Sequence, residues 1–198
     1  MAGTLKTDIV QTDTIRPTSV SGIVTLGASG ETISIPSGAT FSATAGTMSG
    51  QNYPAFQAYL SADQTVSDST TTKVQYNTEV LDTNGYYDNS TNYRFTPLVA
   101  GKYFVYVINS CLASANTNLV TVYNYIYKNG SNVAYSSHGN AGSYGRRAAP
   151  FVSSIIDMNG SSDYLEGFAH IDISTGTASV EGDASTVRST FGTYRIGS

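Results

Sequence analysis

YRFTPLVAGKYFVYVIN, residues 93–109, is the most apolar strand-forming segment around which the chain is organised. Two apolar strand runs flank a break at residues 97–101. The second run, Tyr103-Phe104-Val105-Tyr106-Val107-Ile108, is built from β-branched and aromatic residues and is apolar on both alternation faces. Such a strand has strong β propensity and must be covered on both sides. A packed sheet supplies one cover, and the rest of the chain or other copies of it must supply the second.

Working outward, the same strand grammar recurs. Residues 53–61 (YPAFQAYLS) and 73–81 (KVQYNTEVL) alternate, the second with Val74, Tyr76, Thr78 and Val80 on its apolar face. A polar loop, 62–72, separates them. Asn84-Gly85, Asn129-Gly130 and Asn159-Gly160 are turn signals, because Asn and Gly tolerate positive φ. Around them lie further strands at 119–128, 133–136, 151–158, 164–173, 178–182 and 189–196. No window keeps a helical period over ten residues, and strands at this spacing predict an all-β sandwich or jelly roll.

Two segments precede this region. Glycines at 22, 30, 38 and 46 bracket the units GIVTLGAS, GETISIPS and GATFSATA. Short repeated strands bury no face alone and are expected to pair with copies from other subunits. Residues 1–20 carry only Leu5, Ile9, Val10 and Ile15 among polar neighbours, and are expected to order by docking onto something else. The expected organisation is a leader at 1–20, a Gly-spaced β-repeat stalk at 21–52 and a head at 53–198.

Composition narrows the function. Of 198 residues only 12% are charged, about half the roughly 25% typical of soluble domains. The polar surface therefore comes from Ser, Thr, Asn and the hydroxyls of 15 tyrosines. A net charge of −4 with no basic stripe argues against a nucleic-acid partner. No apolar run has the length of a membrane span. The start MAGTLKTDIVQTDTI has no apolar stretch behind a positive end, so a cytoplasmically made protein without a secretory signal is expected. The one cysteine, Cys111, rules out an internal disulfide and reads as a small buried hydrophobe.

Chemistry is sparse. His138 and His170 are the two histidines, and no G-x-S-x-G elbow accompanies them, so no enzyme and no cofactor are expected. The segment Asp82-Thr83-Asn84-Gly85-Tyr86-Tyr87-Asp88-Asn89 offers hard oxygen donors, but turn formation accounts for it without calcium. The Gly-rich segment 138–150 is the candidate partner-contact loop. It holds His138, Tyr144, Arg146 and Arg147, and Tyr135 precedes it as a further contact candidate, residue types that carry binding energy through rigid area and forked donors. An alternative reading pairs its arginines with acidic residues across a subunit interface.

The residues resemble a known family. Phe95, Gly101 and Tyr103 follow the F-x5-G-x-Y pattern of the globular head of complement C1q and the tumour necrosis factor superfamily. Tyr76, Asp82 and Tyr87 follow its upstream segment with Tyr in place of Phe, and the FGTYRI ending is similar to its closing strand. The gap from Tyr87 to Phe95 is one residue longer, and Val105 and Val107 stand where aromatics are usual. TKVQYNTEVLDTNGYYDNSTNYRFTP and VYNYIYKNGS resemble versions of this module in bacteriophage virion proteins, and TLKTDIVQTDTI resembles the leader that precedes them.

The resemblance implies a C1q/TNF-like jelly-roll head that forms a homotrimer. It also implies docking to other virion structural proteins through the N-terminus and contact with a host-surface glycan or protein. The expected role is a virion fibre or appendage, with a capsid decoration protein and a carbohydrate-binding module as alternatives. The residues expected at the trimer interface or core are Tyr103, Phe104, Val105, Tyr106, Val107 and Ile108.

Overall fold

In a computed structural model, described for residues 54–139 and 145–197 together with Ser37, the chain is built from strands and turns, with no helix among the described residues. In chain order these are β1 (Ala55–Tyr59), β2 (Gln64–Val66), β3 (Thr72–Lys73), β4 (Thr78–Asp82), β5 (Tyr87–Asp88), β6 (Arg94–Phe95), β7 (Ala100–Ile108) and β8 (Cys111–Ala113). There follow β9 (Leu119–Lys128), β10 (Ser131–Gly139), β11 (Arg147–Ala148), β12 (Phe151–Asn159), β13 (Leu165–Ile173), β14 (Ala178–Val180) and β15 (Thr190–Gly197). The leader and the Gly-spaced repeat lie outside the described residues.

The pairings are antiparallel and form three sheets. One runs β12-β7-β15-β1-β4 and a second runs β10-β9-β13-β6-β5, with β3 also on β13. A small third sheet, β11-β8-β14-β2, joins β2, β8, β11 and β14. Sequence-distant strands lie side by side, as in β1 against β15, which is jelly-roll wiring.

Alternation on β7 explains the core. Tyr103, Val105 and Val107 are fully buried, while Phe104, Tyr106 and Ile108 point the other way and are half-buried. From the facing sheet come Val122, Ile126, Leu165, Ala169 and Ile171. An aromatic cluster fills one part: Phe56 stacks between Tyr87 and Phe95 at 4.6 and 4.5 Å, with Phe191 edge-on at 4.8 Å. Such pairs add about 0.5–1.5 kcal/mol each beyond the area they bury.

The core also encloses a polar thread. The Tyr76 hydroxyl donates to Asn109 Oδ1 at 2.7 Å, and Asn109 Nδ2 donates to Asn124 Oδ1 at 3.0 Å. Every buried side-chain polar atom among the described residues has a partner, as the cost of an orphan requires. Cys111 is fully buried beside this thread, and burial pushes its thiol pKa up.

The turns differ from their sequence signals in an instructive way. Only Asn129-Gly130 has both residues at positive φ, 52° and 76°, and it closes the β9–β10 hairpin. Asn84-Gly85 follows β4, which pairs with β1, and leads to β5, which pairs with β6; it therefore joins two sheets. Asn159-Gly160 likewise leads from β12 to β13 in the opposite sheet.

The expected strand at 73–81 is in fact two short ones. Val74 and Tyr76 plunge into the core, after which the chain passes from the β13 side to the β1 side, leaving Val80 exposed. The expected loop at 62–72 contains β2, and the expected return strand at 133–136 is the longer β10.

Candidate interaction surfaces

The outer face of the β7 sheet follows from its register. Ile155, Phe104 and Tyr194 form one row across three strands, Ser153, Tyr106 and Gly192 the next, and Phe151, Ile108 and Thr190 a third. Phe104 and Tyr194 rings lie 5.5 Å apart. The Tyr106 ring lies directly over Gly192, so a Cβ at that position would require the ring to move. Burial, then Tyr194, raise the Tyr106 pKa.

Around this row Ile155 is 59% exposed, with Phe151, Ile196 and Leu81 also exposed. A cavity of about 350 Å³ opens beside them, lined by Gln57, Leu81, Tyr106 and Tyr194 among others. Scattered exposed apolar residues need no explanation, but a contiguous patch on one sheet face does. Of the six β7 residues singled out in the sequence, three belong to the core and three to this patch.

The candidate contact loop divides. Tyr144 lies outside the described residues. His138 and Arg147 line one polar cleft of about 270 Å³ with Ser136, Ser137 and Pro150. Tyr135 belongs to the opposite face of β10, among aromatic rings. Arg146 turns to Ala113, whose carbonyl accepts from its Nε at 3.3 Å.

Arg147 has a structural job in this chain. Its Nε and Nη2 donate to the two Glu181 carboxylate oxygens at 2.5 and 2.6 Å, and Ser110 Oγ donates to the same carboxylate at 2.6 Å. Burial pushes the Glu181 carboxyl up, but Arg147 and Ser110 outweigh it and hold it below its ordinary value. A forked pair of this kind ties β11 to the end of β14. The acidic partner of Arg147 is therefore inside the subunit rather than across an interface.

The turn carboxylates are likewise occupied. Asp82 accepts from the backbone N–H of Asn84, Gly85 and Tyr87, at 3.3, 3.0 and 2.8 Å. Asp88 accepts from the N–H of Ser90, Thr91 and Asn92. These oxygens serve as turn acceptors, as the sequence reading favoured. Among the described residues no group of three or more His, Cys, Asp or Glu is placed to hold a metal ion.

One surface was not singled out from sequence. On β9 the alternation that buries Val122, Asn124 and Ile126 turns Tyr123, Tyr125 and Tyr127 outward together. They meet Tyr135 on β10 and Phe168 and His170 on β13. The signal was available in VYNYIYK, where a tyrosine occupies every second position. His170, read as structural, sits at the edge of this platform, its Nδ1 3.3 Å from Thr71 Oγ1.

Comparison with solved structures defines the class: the head has the C1q/TNF-like jelly-roll fold. A tumour necrosis factor, Eiger, from S. frugiperda superposes at a TM-score of 0.52 with 11% identity, covering 72% of this chain and 92% of its own. Murine APRIL gives 0.50 with 10% identity, over 71% and 98% of the two chains. The globular domain of zebrafish complement 1qA gives 0.48 with 14% identity, over 72% and 96%. No family model and no curated protein matches the sequence.

Proposed function

We propose that the chain is a non-enzymatic, homotrimeric bacteriophage virion protein, a fibre or appendage whose head contacts the host surface. One observation supports the trimer above all: the aromatic and aliphatic rows on the outer face of the β7 sheet, centred on Phe104, Tyr106 and Tyr194. A second copy of the same patch, repeated around a three-fold axis, would take these side chains out of water. Each fully covered ring or branched side chain contributes about 1.5–3 kcal/mol. The virion assignment is supported by the leader and the phage-like phrases in the sequence.

In this reading Leu5, Ile9, Val10 and Ile15 dock to the particle, and the repeat at 21–52 forms an interwoven stalk. An electron-microscopy map of the particle tests it. Density for this head at the distal end of a fibre, in a dozen or two copies of the chain, is the expected result. Hundreds of copies on the shell would make it a decoration protein instead, and absence from the particle would overturn both.

A further inference from the structure

The geometry points to a carbohydrate-binding site on the tyrosine face of the second sheet, formed by Tyr123, Tyr125, Tyr127, Tyr135, Phe168 and His170, with an uncharged, extended glycan as ligand. This gives the host-contact reading its ligand class and location. Only its biological role rests on that reading, because glycan binding by the purified protein needs no virion.

The rings form one connected cluster, in which Tyr127 stands edge-on to Tyr125 at 6.0 Å and His170 edge-on to Tyr123 at 5.6 Å. Tyr123 and Tyr125 are 5.8 Å apart and within 11° of parallel, so their faces share a direction. Tyr135 lies 6.1 and 6.0 Å from them on the neighbouring strand, and Tyr127 stacks on Phe168 at 4.2 Å. Cross-strand aromatic pairs do stabilise a sheet. That role would be met by phenylalanine or valine, and it does not explain why four of the rings carry a hydroxyl or why Tyr135 stays 60% exposed. A tyrosine presents an apolar face and a polar edge together, at the cost of ordering only two torsions. Sugar rings have the complementary form, with apolar C–H faces and hydroxyl edges.

Charge selects among occupants. Two cations border this face: Lys73 is ion-paired with Glu166 and donates to the Asn92 carbonyl at 3.2 Å, and Arg94 lies over the Tyr164 ring at 4.6 Å. Asp172 accepts from Ser69 Oγ at 2.9 Å. Lys73 is thus neutralised, and the chain's net charge of −4 disfavours an anionic ligand, a nucleic-acid strand stacking on the same rings included. Ser137 and the hydroxyls of Tyr123, Tyr127 and Tyr135 offer donors and acceptors to a neutral polyhydroxyl. Thr71 Oγ1 lies 3.3 Å from His170 Nδ1, which fixes the platform's edge. The face belongs to the β10-β9-β13 sheet and the assembly patch to the β12-β7-β15 sheet, so a trimer built on the latter leaves the former open.

The test uses the full chain with maltose-, cellulose- and chitin-series oligosaccharides as probes, and heparin as an anionic control. The protein has no tryptophan, so its emission comes from its 15 tyrosines, four of which lie on this face. At least one neutral series is expected to perturb that emission and to release heat on titration. Tyr135→Ala and Tyr125→Ala should each weaken binding by about tenfold or more, as loss of an aromatic anchor does. Molecular mass and melting temperature of Tyr135→Ala should stay unchanged. No binding by any neutral series, binding of heparin alone, or full binding by the double alanine variant would each overturn the proposal. If host cells bind the protein after periodate oxidation of their glycans but not after protease, the occupant is a protein and the proposal fails. Mass by light scattering on the same samples shows separately whether the trimer reading stands.

Discussion

Phe104 on β7 and Val105 beside it point to opposite sides of one sheet, the first half-buried against Tyr194 at 5.5 Å, the second fully buried in the sandwich. A charge at these neighbouring positions should therefore have two different consequences. Phe104→Glu is expected to yield a folded subunit that no longer assembles, because the outer face still has water on one side in the monomer. Val105→Glu is expected to abolish folding, since a carboxylate there has no partner. Circular dichroism with light scattering separates them, and equal behaviour of the two variants would contradict the assignment of faces.

Phe56 touches Tyr87, Phe95 and Phe191 at once. Phe56→Ala should cost about 3–5 kcal/mol, because the stacked rings on either side cannot both close the cavity. Urea denaturation measures this directly. A loss below about 1 kcal/mol would mean that the aromatic cluster is less tightly packed than its ring distances imply.

Arg147→Ala leaves the Glu181 carboxylate with Ser110 and a 3.7 Å contact to Arg188. Because the arginine is itself half exposed, solvent discounts the loss to about 1–2 kcal/mol. The same variant is the test of whether this residue also meets a partner. Weakened host adsorption beyond what the stability loss explains would assign it both roles.

Acid should weaken the head through its turn and strand-end carboxylates. Backbone N–H groups of Thr91 and Ser90 hold Asp88 well below its ordinary value, and Ser185 and Thr186 bring Asp183 down to about 2. Glu181 is also lowered. Each folded pKa lies below the unfolded one, near about 4, so their stabilisation is complete above that pH and disappears as pH falls through the folded values. The melting temperature is expected to be flat from neutral pH to about 4 and to drop toward 2. Base acts with the opposite sign. Burial raises Tyr103 to about 12, and raises Tyr76 and Tyr87 further. Their contribution is complete below the unfolded value of about 10 and is lost as pH rises through the folded ones. Ultraviolet titration should show some of the 15 tyrosines ionising only on alkaline unfolding, and Cys111 should resist thiol reagents until the same point.

Much of this was legible in the sequence because strand periodicity is local. The alternation of 103–108 and 119–128 places each side chain on a face without knowledge of the partner strand. What alternation does not reveal is where a strand changes sheets. Residues 73–81 alternate cleanly, yet the chain crosses the sandwich after Tyr76, and only long-range packing records that. The division of the contact residues has a related cause: Tyr135 and His138 are three apart and so lie on opposite faces of β10. Arg147 reads as a binding residue in isolation, and its carboxylate partner is 34 positions away. The tyrosines of β9 were visible, but their meeting with Phe168 and His170 depends on the β9–β13 register.

Sedimentation equilibrium of the purified full-length chain tests the central claim most directly. A trimer sediments at three times the 20.9 kDa of the chain, and Phe104→Glu is expected to revert to one chain with secondary structure kept. A native protein that sediments as a 20.9 kDa monomer at micromolar concentration would contradict it.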